Sequence, residues 1–353
     1  QKTPYRAWRD VLTDFFGLDG IKDPIEKQVF VATTVMDLTP NQIERLPLIN
    51  DILNLGIVEN ELTEQLSPQL RQQSLTIFII ELLKAWAKEN PLILIMDDVH
   101  WFDKSSWELM LNVSRSLLVA KVPFMLLPIL RPLEDKYPNR LYFEQINQLE
   151  VAQKMSLEVL SSEEIIQLVI HRLNIEAGDL PVLLADAVLK RAGGNPFYAE
   201  ELIFTLRDQG VIELQQEGDK MLCLVKKDLR EATQKLPESI QGLILARIDR
   251  LPPERQLILK VGAVIGRTFA YTPLHYTLNQ YIPIDAGQIN EHLDKLEILD
   301  LTPLEIPEPD LAYIFKHIIT QEVAYQTLLF AQRRQLHRTV AKWFEDTFQN
   351  EDF

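Results

Sequence analysis

Residues 92–103 of the chain have the sequence LILIMDDVHWFD, in which five apolar residues without alternation are followed by two adjacent carboxylates. An apolar run of this length predicts a strand covered on both faces, as in a parallel α/β sheet. Ligands of such sheets bind beyond the carboxyl ends of the strands. We therefore expect Asp97 and Asp98 at the binding edge, where two repelling carboxylates need a cation or several hydrogen-bond donors. The alternative is that both are solvated loop residues.

The neighbouring segments predict further α/β elements. A helix over 67–88 leads directly into the 92–96 strand, as in half of a βαβ unit. Residues 123–130 form a second apolar run, which ends at Arg131, and a third, weaker strand is expected at 153–157. Together these elements predict the later part of a doubly wound parallel sheet.

Composition narrows the class of protein. The chain has 353 residues, enough for two to four domains, and its 46% hydrophobic and 25% charged residues are typical of a soluble globular protein. A net charge of −15 disfavours binding to nucleic acid or an anionic membrane. A single cysteine, Cys223, excludes an internal disulfide framework, and no apolar run approaches the roughly 20 residues of a membrane span. We expect a cytoplasmic protein and, because the chain starts at Gln1 without a methionine, a piece of a longer polypeptide.

The character of the sequence changes at residue 161. Ser161 and Glu164 form a predicted capping box, and helices dominate from there onward. The order helix, helix, helix, hairpin over residues 237–315, with a turn at 307–310, predicts a winged helix. Its candidate recognition helix is acidic, which argues against DNA binding and favours an intramolecular switch. That helix carries Lys295 against Asp285, Glu291, Asp294 and Glu297.

Several motifs of the chain, taken in this order, resemble those of one ATPase class. They resemble a Walker B segment of the DDxHWxD form, a sensor-1 strand, the GxP motif of a helical lid and the end of a winged helix. The corresponding stretches are MDDVHWFD at 96–103, LPILR at 127–131, GNPFY at 194–198 with EEL at 200–202, and FKH at 315–317, followed by VAY at 323–325 and RQLH at 334–337. The chain thereby resembles STAND-class AAA-like P-loop ATPases. The similarity is greatest to the ATPase regions of large multidomain adenylate cyclases, LuxR-type regulators and Ser/Thr kinases.

The resemblance implies a fold class and a domain order. The fold is an α/β P-loop NTPase core with an incomplete doubly wound parallel sheet, followed by a helical lid, a winged-helix domain and the start of an α-helical repeat region. The predicted domains are the core at 1–160, the lid at 161–236, the winged helix at 237–316 and the TPR-like helical region at 317–353.

The resemblance also assigns roles to residues of the core. Asp97 would hold Mg²⁺, and Asp98 would occupy the position of the catalytic carboxylate, where its short side chain suggests slow hydrolysis. Arg131 would stabilise charge on the γ-phosphate or, alternatively, form a surface salt bridge. His100, with Trp101, would sense the γ-phosphate or simply pack. Asp103 is interpreted as a helix N-cap.

Other roles fall on the lid and the winged helix. Asn195 and Pro196 would contact the nucleotide, with Pro196 packing on the adenine; the alternative is a helix-breaking turn. His317 would contact the β-phosphate of ADP or be a structural histidine. ATP or ADP, together with Mg²⁺, would bind between the core and the lid.

One departure from the family is serious. None of the twelve glycines is followed by lysine, so the phosphate-binding motif G-x-x-x-x-G-K-[ST] is absent from this chain. The loop is expected upstream of Gln1, or the ATPase is degenerate. We expect the chain alone to bind nucleotide weakly or not at all and to be inactive by itself.

Two functions of different classes follow from the resemblance. The first is a nucleotide-dependent signalling switch that hydrolyses ATP slowly in the full-length protein. It would regulate an attached effector, such as a nucleotide cyclase, a kinase or a transcription regulator, and would expose output or self-association surfaces. The alternative is a non-catalytic, ATPase-like interaction scaffold. Neither binds nucleic acid directly or a membrane.

Overall fold

The computed structural model describes residues 4–21, 23–218, 220–307, 309 and 311–347. The chain is mostly helical with small sheets, and it divides into two compact units, Gln1–Ser156 and Leu157–Phe353. Each unit is considered by itself below. The four predicted domains stay predictions.

The first unit contains one small sheet among helices. Its elements are α1 (Arg6–Phe15), α2 (Pro24–Leu38), a 3-10 segment (Pro40–Ile49), α3 (Asn50–Leu53), α4 (Glu61–Glu64), α5 (Pro68–Glu89), β1 (Leu92–Met96), a 3-10 turn (Val99–Trp101), α6 (Lys104–Ala120), β2 (Phe124–Pro128) and α7 (Arg140–Asn147). The predicted start of α5 is confirmed, because the Ser67 hydroxyl accepts the Leu70 N–H and Pro68 occupies the first turn.

Strands β1 and β2 pair in parallel, as predicted, with Leu92 beside Phe124 and Met96 beside Pro128. The expectation that the first strand is covered on both faces is wrong for this chain. Its alternate side chains lie in the core, whereas Ile93 and Ile95 are 62% and 61% exposed. All five residues of the strand are apolar, so the sequence does not distinguish its two faces. The sequence alone therefore does not reveal that one face lacks a covering layer.

The predicted third strand at 153–157 is also wrong, since residues 153–160 adopt no helix or strand. Met155, Leu157 and Val159 keep the alternating apolar pattern of a strand, but their side chains are exposed. A strand needs a partner whose N–H and C=O groups it can pair with, and this segment pairs with neither β1 nor β2. The described part of the sheet is thus a parallel pair, and a doubly wound order cannot be read from two strands.

The second unit continues with helices and two small antiparallel sheets. Its elements are α8 (Ser162–Leu173), a 3-10 turn (Ala177–Asp179), α9 (Val182–Ala192), α10 (Pro196–Asp208), β3 (Ile212–Glu217), β4 (Lys220–Val225), α11 (Leu229–Gln234), α12 (Ile240–Ile248), α13 (Pro253–Ile265), β5 (Thr268–Ala270), α14 (Tyr271–Asn279), α15 (Ala286–Ile298), β6 (Leu304–Ile306), β7 (Ala312–Ile314), α16 (Ile318–Gln326) and α17 (Phe330–Thr347).

Two hydrophobic cores fill the second unit. One joins α8, α9 and α10 to the β3–β4 hairpin, and the capping box predicted at Ser161 and Glu164 is confirmed at the start of α8. The other contains residues of the four helices α12, α13, α14 and α15, of the β5-β7-β6 sheet and of the final two helices. Leu336 and Val340 of α17 belong to this second core. The predicted wing turn at 307–310 includes Glu308 and Asp310, which lie outside the described residues.

No helix in the described part of the chain combines the length and the apolar character that a membrane crossing requires.

The two faces of β1 make a direct stability prediction. Leu94→Ala should lower the free energy of unfolding of the first unit by about 2–4 kcal/mol, because it opens a cavity in the core. Ile95→Ala, the control on the exposed face, should cost less than about 1 kcal/mol. Urea unfolding followed by tryptophan fluorescence measures this, since the first unit holds four of the five tryptophans, namely Trp8, Trp86, Trp101 and Trp107. Equal losses for both variants would contradict the assignment of faces.

Candidate functional site

The carboxyl end of the parallel strands is fixed by main-chain hydrogen bonds. The N–H of Ile129 donates to the Met96 carbonyl at 2.8 Å, and the N–H of Val99 donates to the Ile129 carbonyl at 3.0 Å. The two residues between Met96 and Val99 are the predicted site carboxylates, Asp97 and Asp98. The sheet therefore presents both of them on a short loop whose ends cannot move independently.

Both carboxylates are exposed at this edge of the sheet. Asp98 has a φ of 51°, in the left-handed region that L-residues rarely adopt. Its N–H donates to Oδ1 of Asp97 at 2.8 Å, which turns the Asp97 carboxylate back over the loop. Oδ1 of Asp98 lies 3.8 Å from Nδ1 of His100. The strain and the hydrogen bond fix the backbone that carries the carboxylates.

The donor chemistry of this edge fits Mg²⁺ bound together with a phosphate ligand. In the described residues no group of three or more His, Cys, Asp or Glu side chains could hold a metal ion. Mg²⁺ rarely uses such a cage, because it keeps several waters and binds through one or two carboxylates and the substrate phosphates. Asp97 supplies one such carboxylate, and Asp98 lies beside it.

His100 and Asp103 follow the carboxylates on the same loop. The backbone carbonyl of His100 accepts a hydrogen bond from the Tyr137 hydroxyl at 3.0 Å. Asp103 caps α6, as predicted, by accepting the Ser106 N–H at 3.0 Å. Asp103 also accepts the Tyr5 N–H at 3.3 Å, so it joins the start of the described chain to the loop. Neither the role of Tyr137 nor this second role of Asp103 could be predicted from the sequence, because both contacts join distant segments.

Arg131 lies on the coil that follows β2, exposed at the same edge of the sheet. In the part of the chain that the structure describes, it makes no ion pair with Asp97 or Asp98. The structure therefore brings the two carboxylates and His100 together, and among the described residues it shows no contact between them and Arg131.

In the second unit, the predicted Asn195–Pro196 turn is the start of α10. Oδ1 of Asn195 accepts the Tyr198 N–H at 3.1 Å, and Pro196 occupies the first turn. Gly194 has a φ of 80°, and a Cβ there would come within 2.6 Å of the Leu160 carbonyl oxygen. The motif therefore has a structural role, a pinned turn that only glycine permits, which is the alternative stated above for Pro196. Asn195 and Pro196 are both exposed.

His317 lies against the same motif. Its ring centroid is 4.0 Å from that of Phe197, and its Nε2 lies 4.0 Å from Oε2 of Glu200. Burial, with smaller contributions from Arg172 and Arg267, lowers the pKa of His317 and so favours the neutral imidazole. Two motifs far apart in sequence, GNPF and FKH, thus meet within one unit.

Four cations surround the Phe204 ring beside this contact. The distances to its centroid are 5.0 Å from Arg172, 5.2 Å from Arg207, 5.2 Å from Arg247 and 5.6 Å from Lys316. A cation over an aromatic face is stabilised by the ring quadrupole. These residues come from α8, α10, α12 and the segment after β7, so the ring joins elements of the predicted lid and the predicted winged helix.

Carboxylates balance these cations. Asp300 accepts hydrogen bonds from Arg172 and Lys316, and Glu201 accepts one from Arg247 at 2.8 Å. The Glu201–Arg247 pair is buried, with side chains 3% and 2% exposed, and burial raises the pKa of the Glu201 carboxyl. We refer to Phe204, its four cations and these two carboxylates as the Phe204 cluster. Sequence analysis missed it, because its members are scattered over more than a hundred residues.

Comparison with known proteins gives distant similarities. No protein-family model matches the chain. It is 21% identical to human adenylate cyclase type 10 over 298 residues, which cover 73% of this chain and 17% of that protein. It is 26% identical to an uncharacterised protein of Rhizobium meliloti over 314 residues, covering 83% of this chain and 26% of that protein. The chain thus spans 17% to 26% of the length of these relatives.

Among solved structures, the chain is similar to a Walker-type ATPase of Pyrococcus abyssi. The alignment covers 84% of this chain and 77% of that one, with 14% identity and a TM-score of 0.25. A score this low carries no argument about the fold. The adenylate cyclase similarity agrees in coarse terms with the resemblance to an ATPase region that the motifs suggest.

The buried pair of the Phe204 cluster makes a prediction. Arg247→Met should destabilise the second unit by about 3–5 kcal/mol, because it leaves the Glu201 carboxylate buried without its partner. Lys235→Met is the matched control, since it removes an exposed partner of Glu231 and should cost less than about 0.5 kcal/mol. Hydrogen exchange of α10 and α12 peptides in increasing urea measures both. Similar protection in the two variants would show that the buried pair does not hold these helices together.

Proposed function

We propose that the chain is part of a nucleotide-dependent signalling switch, in which ATP and Mg²⁺ bind and ATP is slowly hydrolysed in the natural full-length protein. The observation that carries this proposal is the pair Asp97 and Asp98, exposed on a strained loop that parallel strands fix at their carboxyl ends. The carboxyl ends of parallel strands are where α/β sheets bind their ligands, and both carboxylates are exposed there.

In this proposal Asp97 holds Mg²⁺ through a carboxylate oxygen, and Asp98 orients the attacking water. Bound Mg²⁺ supplies positive charge that neutralises the phosphate oxygens. Asp98 accepts a hydrogen bond from the water, whose oxygen forms a bond to the γ-phosphorus while the bond from phosphorus to the β-phosphate oxygen breaks. ADP is the leaving group, and the proton of the water passes to Asp98 and then to solvent. Arg131 approaches from the coil after β2 and stabilises the charge on the transferred phosphoryl group. His100 belongs to the same loop.

The second unit supplies the switch. We propose that Asn195 and Pro196 contact the nucleotide at the start of α10 and that His317 responds to its phosphates. The contact between His317 and Phe197 supports this, because it links the two predicted nucleotide motifs. We propose that the elements after residue 237 form a winged helix; the β5-β7-β6 sheet supports this, and the acidic α15 suits an intramolecular role.

An attached effector in the same polypeptide is the proposed target of the switch. The similarity to adenylate cyclase type 10, of which this chain matches only 17%, supports a cyclase-like parent with further domains. Exchange of ADP for ATP would bias two arrangements of the module and expose an output or self-association surface.

A non-catalytic scaffold is the second candidate. It is favoured by the absence of G-x-x-x-x-G-K-[ST] from these 353 residues, since that motif supplies the N–H groups that cradle phosphates. The two candidates differ in whether the carboxylates matter for turnover of ATP.

The site residues predict a loss of turnover. In the natural full-length protein, Asp97→Asn and Asp98→Asn should each lower kcat for ATP hydrolysis by about 100-fold or more, because each removes a charge needed in the transition state. Asp97→Asn should also raise the Mg²⁺ concentration required for half-maximal activity, whereas Asp98→Asn should not. Steady-state phosphate release at varied Mg²⁺ measures both effects.

Glu89→Gln is the control for this experiment. Glu89 is an exposed carboxylate at the end of α5, beside the amino end of β1 and thus at the opposite end of the sheet. It should leave turnover and Mg²⁺ dependence unchanged. Wild-type turnover in both aspartate variants would refute the site, and absence of turnover in the natural protein would favour the scaffold.

A further inference from the structure

The imidazole of His100 is unusual because it is buried without hydrogen bonds. Neither Nδ1 nor Nε2 is accessible to solvent, and within the described part of the chain neither has a hydrogen-bond partner. A buried polar atom nearly always has a partner, so each exception needs an explanation. If the imidazole only filled space, an apolar ring could replace it without loss of stability.

The backbone of His100 is held from two directions. Its carbonyl accepts the Tyr137 hydroxyl at 3.0 Å, and that hydroxyl accepts Nε1–H of Trp107 at 3.1 Å. The ring lies 5.2 Å from that of Trp101, centroid to centroid. Because the backbone is held, the imidazole can gain a partner only by small rotations of its own side chain or of a neighbouring one.

The carboxylate nearest to this ring is that of Asp98, with Oδ1 at 3.8 Å from Nδ1. The Asp98 backbone is fixed, since its N–H donates to Asp97 and its carbonyl accepts the Trp101 N–H at 2.8 Å. Its side chain is 61% exposed and free to rotate. A rotation of the Asp98 side chain that moves Oδ1 by a fraction of an ångström brings it within hydrogen-bond distance of Nδ1 of His100. This hydrogen bond satisfies the buried nitrogen.

We propose that His100 is a positioning residue for Asp98: its imidazole donates Nδ1–H to one carboxylate oxygen and thereby directs the other oxygen outward. The proposed bond makes the imidazole an Nδ1–H tautomer, because the partner of a ring nitrogen decides which nitrogen carries the proton. The role in orienting water rests on the proposed function, whereas the hydrogen bond does not.

The hydrogen bond is tested without nucleotide. Two-bond ¹H–¹⁵N spectra of the histidine-labelled 353-residue chain at pH 8 distinguish the tautomers, and His100→Gln identifies the signal. Wild type should show the Nδ1–H form, and Asp98→Ala should shift it to Nε2–H. Asp97→Asn, the neighbouring control, should leave the tautomer unchanged. An Nε2–H form in wild type, or one that Asp98→Ala does not alter, would overturn the proposal.

The positioning role is tested by turnover in the natural full-length protein. His100→Ala should lower kcat about 10- to 100-fold, the usual effect of losing a residue that orients a functional group, with KM for ATP unchanged. His100→Asn should restore most of the rate, because its amide nitrogen occupies the place of Nδ1, whereas His100→Gln should not. The double variant Asp98→Asn/His100→Ala should be no slower than Asp98→Asn alone.

The outcomes separate the two proposals. Additive losses in the double variant, or a rise in KM without a fall in kcat, would make His100 merely structural and overturn the positioning role. An Nδ1–H tautomer in a protein that does not hydrolyse ATP would leave the hydrogen bond standing, while the proposed function and the positioning role would both fail.

Discussion

Two main-chain hydrogen bonds at the carboxyl end of the parallel strands, from Ile129 to Met96 and from Val99 to Ile129, are the constraint on which the candidate site depends. They leave room for two residues between fixed points, and this forces Asp98 into the left-handed conformation with its N–H on Asp97. The Asp97 carboxylate, which accepts this hydrogen bond, would lose little conformational freedom on binding a ligand, and this is how a site is preorganised. The same two bonds carry His100 next to Asp98, so the geometry of the whole loop follows from the pairing of the strands.

In the second unit, a group of charged side chains around Phe204 holds several helices together. The Phe204 cluster uses charges where a hydrophobic core would be the stronger choice, because a buried ion pair is repaid only when its geometry is complete. Such a cluster favours one arrangement over its near neighbours. His317 lies beside it, against Phe197 and near Glu200, so a ligand that attracted His317 would act directly on the edge of the cluster.

Local sequence signals predicted local structure well. The caps at Ser67, Ser161 and Asp103 and the parallel pairing after two apolar runs were all foreseeable, because each depends on neighbouring residues. The layer that covers each face of a strand and the strand with which a segment pairs could not be predicted. Ile93 and Ile95 have the same chemistry as Leu94, and only the surrounding chain decides that they are exposed. Residues 153–157 have the pattern of a strand, but they lack a partner edge. Tyr137 and the Phe204 cluster depend on contacts between distant segments, which a single sequence does not display.

The central claim is that the loop after β1 binds the metal ion that accompanies a nucleotide. The most direct measurement replaces Mg²⁺ by Fe²⁺ in the natural full-length protein with ATP, adds ascorbate and peroxide, and maps backbone cleavage by mass spectrometry. The account predicts cleavage within residues 96–100 that requires ATP and disappears in Asp97→Asn. Cleavage confined to other segments, or unchanged by that substitution, would contradict it.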